Sequence, residues 1–142
     1  ALSPLNEWRQ KRLVGGARSE EGQARIDAMT RDAREVDWVS GACLLVRRTD
    51  AERAGLLDER YFMYLEDVDF CTALRRLGRA VLFVPTAEVV HHRGQSRASA
   101  EAAVEMAYRR SQIAYYRKHL PGWAPALRLY LKVRGRLPDI SE

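Results

Sequence analysis

The chain has 142 residues, 46% hydrophobic and 30% charged, with a net charge of +5. That length supports one domain with a buried core, and the balance excludes wholesale disorder. No apolar run approaches the roughly 20 residues that span a bilayer and no signal peptide is visible; Cys43 and Cys71 form no CxxC pair and read as buried thiols of a cytosolic protein.

Residues 1–35 read as irregular chain followed by helix. Pro4 and the Gly15-Gly16 pair mark a loop, and "SEEGQARIDAMTRDAR" predicts a peripheral helix over 19–34 with a partial cap at Ser19. "VDWVSGACLLVRR" (36–48) predicts a strand, with Gly41-Ala42 marking a place of close approach. A short helix is expected over 49–55, where Thr49 and Glu52 have capping-box spacing and Gly55 is a natural terminator. From Glu66 the apolar spacing turns helical through Val68, Phe70, Cys71, Leu74 and Leu77, and Gly78 ends the pattern. "AVLFVP" (80–85) predicts a buried strand. A second short strand leads through Val89 and Val90 into a loop carrying His91, His92 and Ser96. Residues 98–118 predict a helix stopped by Pro121, and 125–133 a last one. Alternating strands and helices indicate α/β, with three or four strands, small for a self-contained doubly wound domain.

The stretch "YFMYLEDVDF" sets Glu66, Asp67 and Asp69 directly behind a run of aromatics. A helix N-terminus favours acids through its dipole, which accounts for any one of them as a cap. It does not account for the poorly solvated approach, whereas a carboxylate at the mouth of an apolar pocket suits a general base. His91 and His92 could meet a metal or a phosphate, or be a surface pair in a turn; one histidine without partners is not a metal site. From Met106 to Pro138 there is no Asp or Glu, while arginines and lysines alternate with Tyr108, Tyr115, Tyr116, Trp123 and Tyr130. This composition suits an anionic membrane surface, single-stranded nucleic acid, or amphipathic helices with aromatics packed inward.

Taken together and in order, "VDWVSGACLLVRR", "GLLDERYFMYLEDVDFCTALRRLG" and "VPTAEVVHHRGQS" resemble the C-terminal half of the catalytic domain of family 2 glycosyltransferases, in the bacterial rhamnosyltransferase-like branch. The resemblance implies an α/β, partial GT-A fold: a small mixed sheet with flanking helices and a helical C-terminal tail. It divides the chain into an N-terminal loop and peripheral helix (1–35), an acceptor-side catalytic half-domain (36–97) and a basic-aromatic tail (98–142). It further implies an inverting transfer in which Asp67 is the general base with Glu66 beside it. Trp38, Gly41, Ala42 and Asp69 would lie at the acceptor and donor sugars, Asp69 also anchoring the helix start. His91 and Ser96 would lie at a divalent metal (Mg2+ or Mn2+) or the diphosphate. The implied partners are a nucleotide-sugar donor and a saccharide or polyprenyl-linked acceptor, with no nucleic acid. The implied location is cytoplasmic, the basic tail touching the inner face of a bacterial membrane. The sequence departs from the family in lacking an Asp-x-Asp before residue 67 and a nucleotide-binding βαβ unit; the "DVD" at 67–69 belongs to the base motif. Most metal ligands are therefore expected in the absent half, and the alternative is a catalytically inactive fragment or binding module.

Overall fold

The computed structural model describes residues 19–91 and 101–139. The expected loop before Ser19 lies outside them, as do His92 and Ser96. Helix α1 (Glu20–Met29) starts where the Ser19 hydroxyl accepts the Gly22 N–H at 3.1 Å, satisfying one of the free amides of a helix start. It stops at Thr30, whose hydroxyl donates to the Ile26 carbonyl at 2.8 Å. No α1 residue is buried, so the helix is peripheral.

The sheet is smaller than the sequence predicts. Strand β1 (Arg34–Glu35) pairs antiparallel with β2 (Leu82–Phe83), Arg34 opposite Phe83 and Glu35 opposite Leu82; among the described residues this is the whole sheet. The expected strand over 36–48 does not form. Val36 still donates to Val81 at 2.8 Å, but the following backbone is diverted. The Ser40 hydroxyl accepts from Ala42 and starts a 3-10 turn (Gly41–Cys43), and the Gly41 N–H is spent on a side chain rather than a ladder. Without a neighbouring strand an apolar run has no ladder to join. The second short strand expected before His91 is also absent. Cys43 is exposed, correcting the reading of two buried thiols, whereas Cys71 is buried.

Helix α2 (Arg48–Ala54) begins one position before the expected cap. Thr49 is therefore inside the helix and Glu52 pairs instead with Arg48 at 2.7 Å. Gly55 terminates it in the left-handed region, φ +89°, letting Leu56 donate back to Ala51 at 2.9 Å. Helix α3 (Glu66–Arg76) ends the same way, Gly78 at φ +76° allowing Arg79 to donate to Leu74 at 3.1 Å.

Helix α3 is the hub. Phe70 and Leu74, one turn apart, pack on Ala51 of α2 with Leu44, Val46 and Ala54 around them. On its other side Val68, with Leu65 ahead of it, packs on Tyr61, Tyr115, Tyr116 and Ala124. Burying a side chain the size of Val68, Leu74 or Phe70 contributes about 1.5–3 kcal/mol. Tyr115 and Tyr116 come from α4 (Glu101–His119); Ala124 opens α5 (Ala124–Val133), which follows a 3-10 turn (Pro121–Trp123). The aromatics of the basic tail thus split: Tyr115 and Tyr116 are core, while Trp123 and Tyr130 are exposed.

Candidate active site

The approach to α3 is strained. Tyr64 and Leu65 are consecutive non-glycine residues in the left-handed region, at φ +66° and +69°. Each costs on the order of 1–2 kcal/mol relative to an ordinary backbone. The Ser111 hydroxyl of α4 holds the turn by donating to the Met63 carbonyl at 2.7 Å, and Tyr61 and Leu65 are buried on either side of it. Out of this turn the chain enters the helix with Glu66 and Asp67 in its first turn. Asp67 is half-buried. Its Oδ2 accepts the Gly41 N–H at 3.0 Å and its Oδ1 accepts the Val68 N–H at 2.8 Å, so both oxygens are oriented by backbone. A Cβ built on Gly41 would lie 3.5 Å from the Asp67 Cβ, so anything much larger than alanine would crowd the carboxylate. Phe62, at 87% exposed, stands uncovered in the same turn.

One layer deeper, Asp69 anchors a buried charge network. It is 2% exposed. It accepts from the Tyr61 hydroxyl at 3.1 Å, from the Lys118 ammonium at 2.8 Å, and meets His119 Nε2 at 2.5 Å. Lys118 also reaches Asp58 at 2.8 Å, and Asp58 is gripped by the Arg60 guanidinium at 2.6 Å. The Arg60 guanidinium, aided by Lys118, holds the Asp58 carboxyl well below the ordinary carboxylate range. Burial, together with Asp69, pushes the Tyr61 phenol far above its ordinary value, so it acts only as a donor. Burial pulls Lys118 down, but the two carboxylates more than reverse it and keep the ammonium charged.

His119 goes the other way. Burial pulls its pKa below the ordinary imidazole value despite Asp69, with Arg76 and Lys118 acting in the same direction. The geometry gives the reason. Nε2 donates to Asp69, the ring stacks at 4.6 Å on Tyr115, and Nδ1 is buried without a partner among the described residues. A bare lone pair tolerates that position, whereas a second N–H would be orphaned there. Below the unfolded pKa of about 6.5 the unfolded chain therefore binds a proton that the folded chain refuses. Stability conferred by this site is present above that pH and falls as pH drops toward the lowered folded value. His119→Gln, which keeps a donor toward Asp69, is expected to flatten this decline when urea midpoints are followed from neutral pH downward. The Asp58 contribution begins only below about 3.9 and stays separable.

Of the residues singled out in the sequence, the fold brings Gly41 directly onto Asp67. Ala42 follows it, exposed, in the same turn. Trp38 packs against the core cluster of Tyr61, Leu65 and Val68. Asp69 faces inward, with Oδ1 held by Tyr61 and His119 and Oδ2 by Lys118. His91 is exposed at the end of a described segment. Among the described residues no three His, Cys, Asp or Glu side chains come together as a metal would require. A divalent metal therefore does not fit these residues by themselves. Sequence reasoning counted Lys118 only as a tail cation and did not single out His119; their one local signal is position in the last turn of a helix, where cations are favoured.

The sequence profile described as glycosyltransferase like family 2 matches residues 9–112, well over half of the chain. The chain belongs to glycosyltransferase-like family 2. Members of this family generally depend on a metal, and the family accounts for an α/β arrangement with helices flanking a small sheet. Among curated relatives, an N-acetylglucosaminyl-diphospho-decaprenol L-rhamnosyltransferase of Mycobacterium tuberculosis is 39% identical over 124 residues, covering 80% of this chain and 40% of the relative. The rhamnosyltransferase WbbL of Escherichia coli is 40% identical over 57 residues, covering 40% of this chain and 22% of the relative. A low-salt glycan biosynthesis hexosyltransferase, Agl10 of Haloferax volcanii, is 39% identical over 41 residues, 29% of this chain and 13% of the relative. The chain thus spans about 40% of the length of the mycobacterial relative. No solved structure matches it.

Proposed function

We propose that this chain is the acceptor side of an inverting sugar transferase, with Asp67 as the base that takes the acceptor hydroxyl proton. The observation that carries the reading is the Asp67 carboxylate itself. Two backbone N–H groups orient it, it is only half-buried, and it follows a strained turn that carries an uncovered aromatic, Phe62. A sugar hydroxyl is a poor nucleophile, so its proton must leave as the new bond forms. In the proposed step the acceptor oxygen's lone pair bonds to the anomeric carbon from the face opposite the diphosphate. The old carbon–oxygen pair departs with the nucleoside diphosphate, and the proton moves to Asp67. Residues 36–97 carry this acceptor side and 98–142 a tail that meets the membrane's inner face. His91 and Ser96 are assigned to the diphosphate end. The names of the relatives point to rhamnosyl transfer onto a polyprenyl-diphosphate-linked saccharide.

The test is the anomeric configuration of the product, read by NMR after transfer by the full-length enzyme from a nucleotide-activated rhamnose. Inversion is expected; retention would remove the single displacement and with it the role of Asp67. Phe62 supplies a second check. An exposed ring in the turn that leads into the base's helix offers its face to the apolar face of the acceptor sugar. Phe62→Ala is expected to raise the acceptor KM about tenfold, with little change in melting temperature because the ring is 87% exposed.

A further inference from the structure

A hollow of about 500 Å³ lies where α4 ends and α5 begins, lined by Arg117, Pro121, Ala124, Pro125 and Arg128. Two arginines face carbon walls there. Arg128 Nη1 is buried without a hydrogen-bond partner among the described residues, and a turn of the guanidinium toward the hollow would let it meet an acceptor there. No carboxylate occurs in the sequence from Met106 to Pro138 to serve as that partner locally. Ala124 and Pro125 are the first residues of α5, so the helix turns its positive end toward the same space. All of this favours an anion with several acceptor oxygens, for which arginine forks are well shaped.

The surroundings say what carries the anion. Helix α5 already buries Ala124 and Leu131 against the body of the protein, yet Leu129, Tyr130 and Val133 on it, and Trp123 just before it, are exposed. Lys132 and Arg134 are exposed among them, Arg134 lying 5.9 Å over the Tyr130 ring. Exposed aromatics and aliphatics interleaved with cations are the composition of a surface that rests in an anionic bilayer interface. We infer that the Arg117–Arg128 hollow binds the phosphate of a polyprenyl-type lipid phosphate, with the outer face of α5 set in the membrane interface. This rests on the reading of the chain as the acceptor side and names how that acceptor is held. Ala124, a wall of the hollow, packs in the same cluster as Leu65 and Val68, which flank Glu66 and Asp67, so one core supports both the hollow and the base.

The experiment is flotation of the chain with phosphatidylcholine vesicles that contain either polyprenyl phosphate or phosphatidylglycerol at matched surface charge. Tighter binding to polyprenyl phosphate is expected, and Arg128→Gln should weaken it about tenfold, the scale of one charge-assisted contact. Arg117→Gln, at an exposed position, should weaken it in the same sense and guards against misfolding of the Arg128 variant. Equal binding to both anionic vesicles, unchanged by either variant, would overturn the site in favour of a diffuse basic surface. Release from the vesicles by inorganic pyrophosphate as effective as soluble polyprenyl phosphate would overturn the lipid as the source. Asp67→Asn should float like the unaltered chain, so a failed site and a failed base assignment give different results.

Discussion

Asp67→Asn is expected to lower kcat for sugar transfer by about 100- to 10,000-fold in the full-length enzyme, the range that a positioned base supplies. The acceptor KM should move little, because the substitution preserves shape and removes only proton affinity. The fold should survive with a measurable penalty. Both carboxylate oxygens accept backbone N–H groups, from Gly41 and from Val68. An asparagine has one acceptor oxygen, so its amide must face one of those donors, at a cost of about 1–3 kcal/mol. Activity therefore needs to be compared well below the variant's melting temperature. Glu66→Gln is the control: it lies in the same first turn, and its Oε2 is buried without a partner among the described residues. If Glu66→Gln loses more kcat than Asp67→Asn, the base is Glu66 and the assignment made here is wrong.

Local signals were legible and distant ones were not. Gly55 and Gly78 end their helices because each must enter the left-handed region, which composition announces directly. Pro121 likewise marks the end of α4. The Gly41-Ala42 pair signalled a close approach, and what approaches is the Asp67 side chain, from a point the sequence could not indicate. The run over 36–48 is apolar enough for a strand, but a strand exists only with a neighbour, and the described residues offer only the short pairing with 82–83. The left-handed pair Tyr64-Leu65 is invisible in sequence, since bulky residues there oppose local preference and are held by Ser111 from α4. The basic-aromatic tail left two readings open, aromatics packed inward or aromatics on a surface, and both occur: helical phase sends Tyr115 and Tyr116 into the core while Trp123 and Tyr130 stay outside.

The same phase hides Lys118 and His119, and their loss has the second-largest expected effect. Lys118→Met removes the one full positive charge that contacts Asp69 and leaves a carboxylate 3% exposed at its side chain beside a neutral imidazole and a phenol. Breaking a buried pair from one side costs about 3–5 kcal/mol, and the lysine's partial exposure places this case toward the lower end. Asp58 suffers less, since the Arg60 fork remains. The variant should also weaken a pH dependence. With Lys118 gone, one source of repulsion on His119 disappears while Asp69 still attracts a proton, so the folded pKa of His119 moves up toward the unfolded value of about 6.5. The gap between the two narrows, and with it the stability that is present above the unfolded pKa and lost as pH falls below it. Lys118→Met should thus show a shallower loss of stability on going below neutral pH in urea melts than the unaltered chain. An NMR titration of the His119 ring should show the same shift. Adding Asp69→Asn to Lys118→Met should recover part of the loss and restore the steeper decline, because the charge that attracts the proton is gone. A double variant no more stable than the single one would mean that Lys118 supports the fold through its packing rather than its charge.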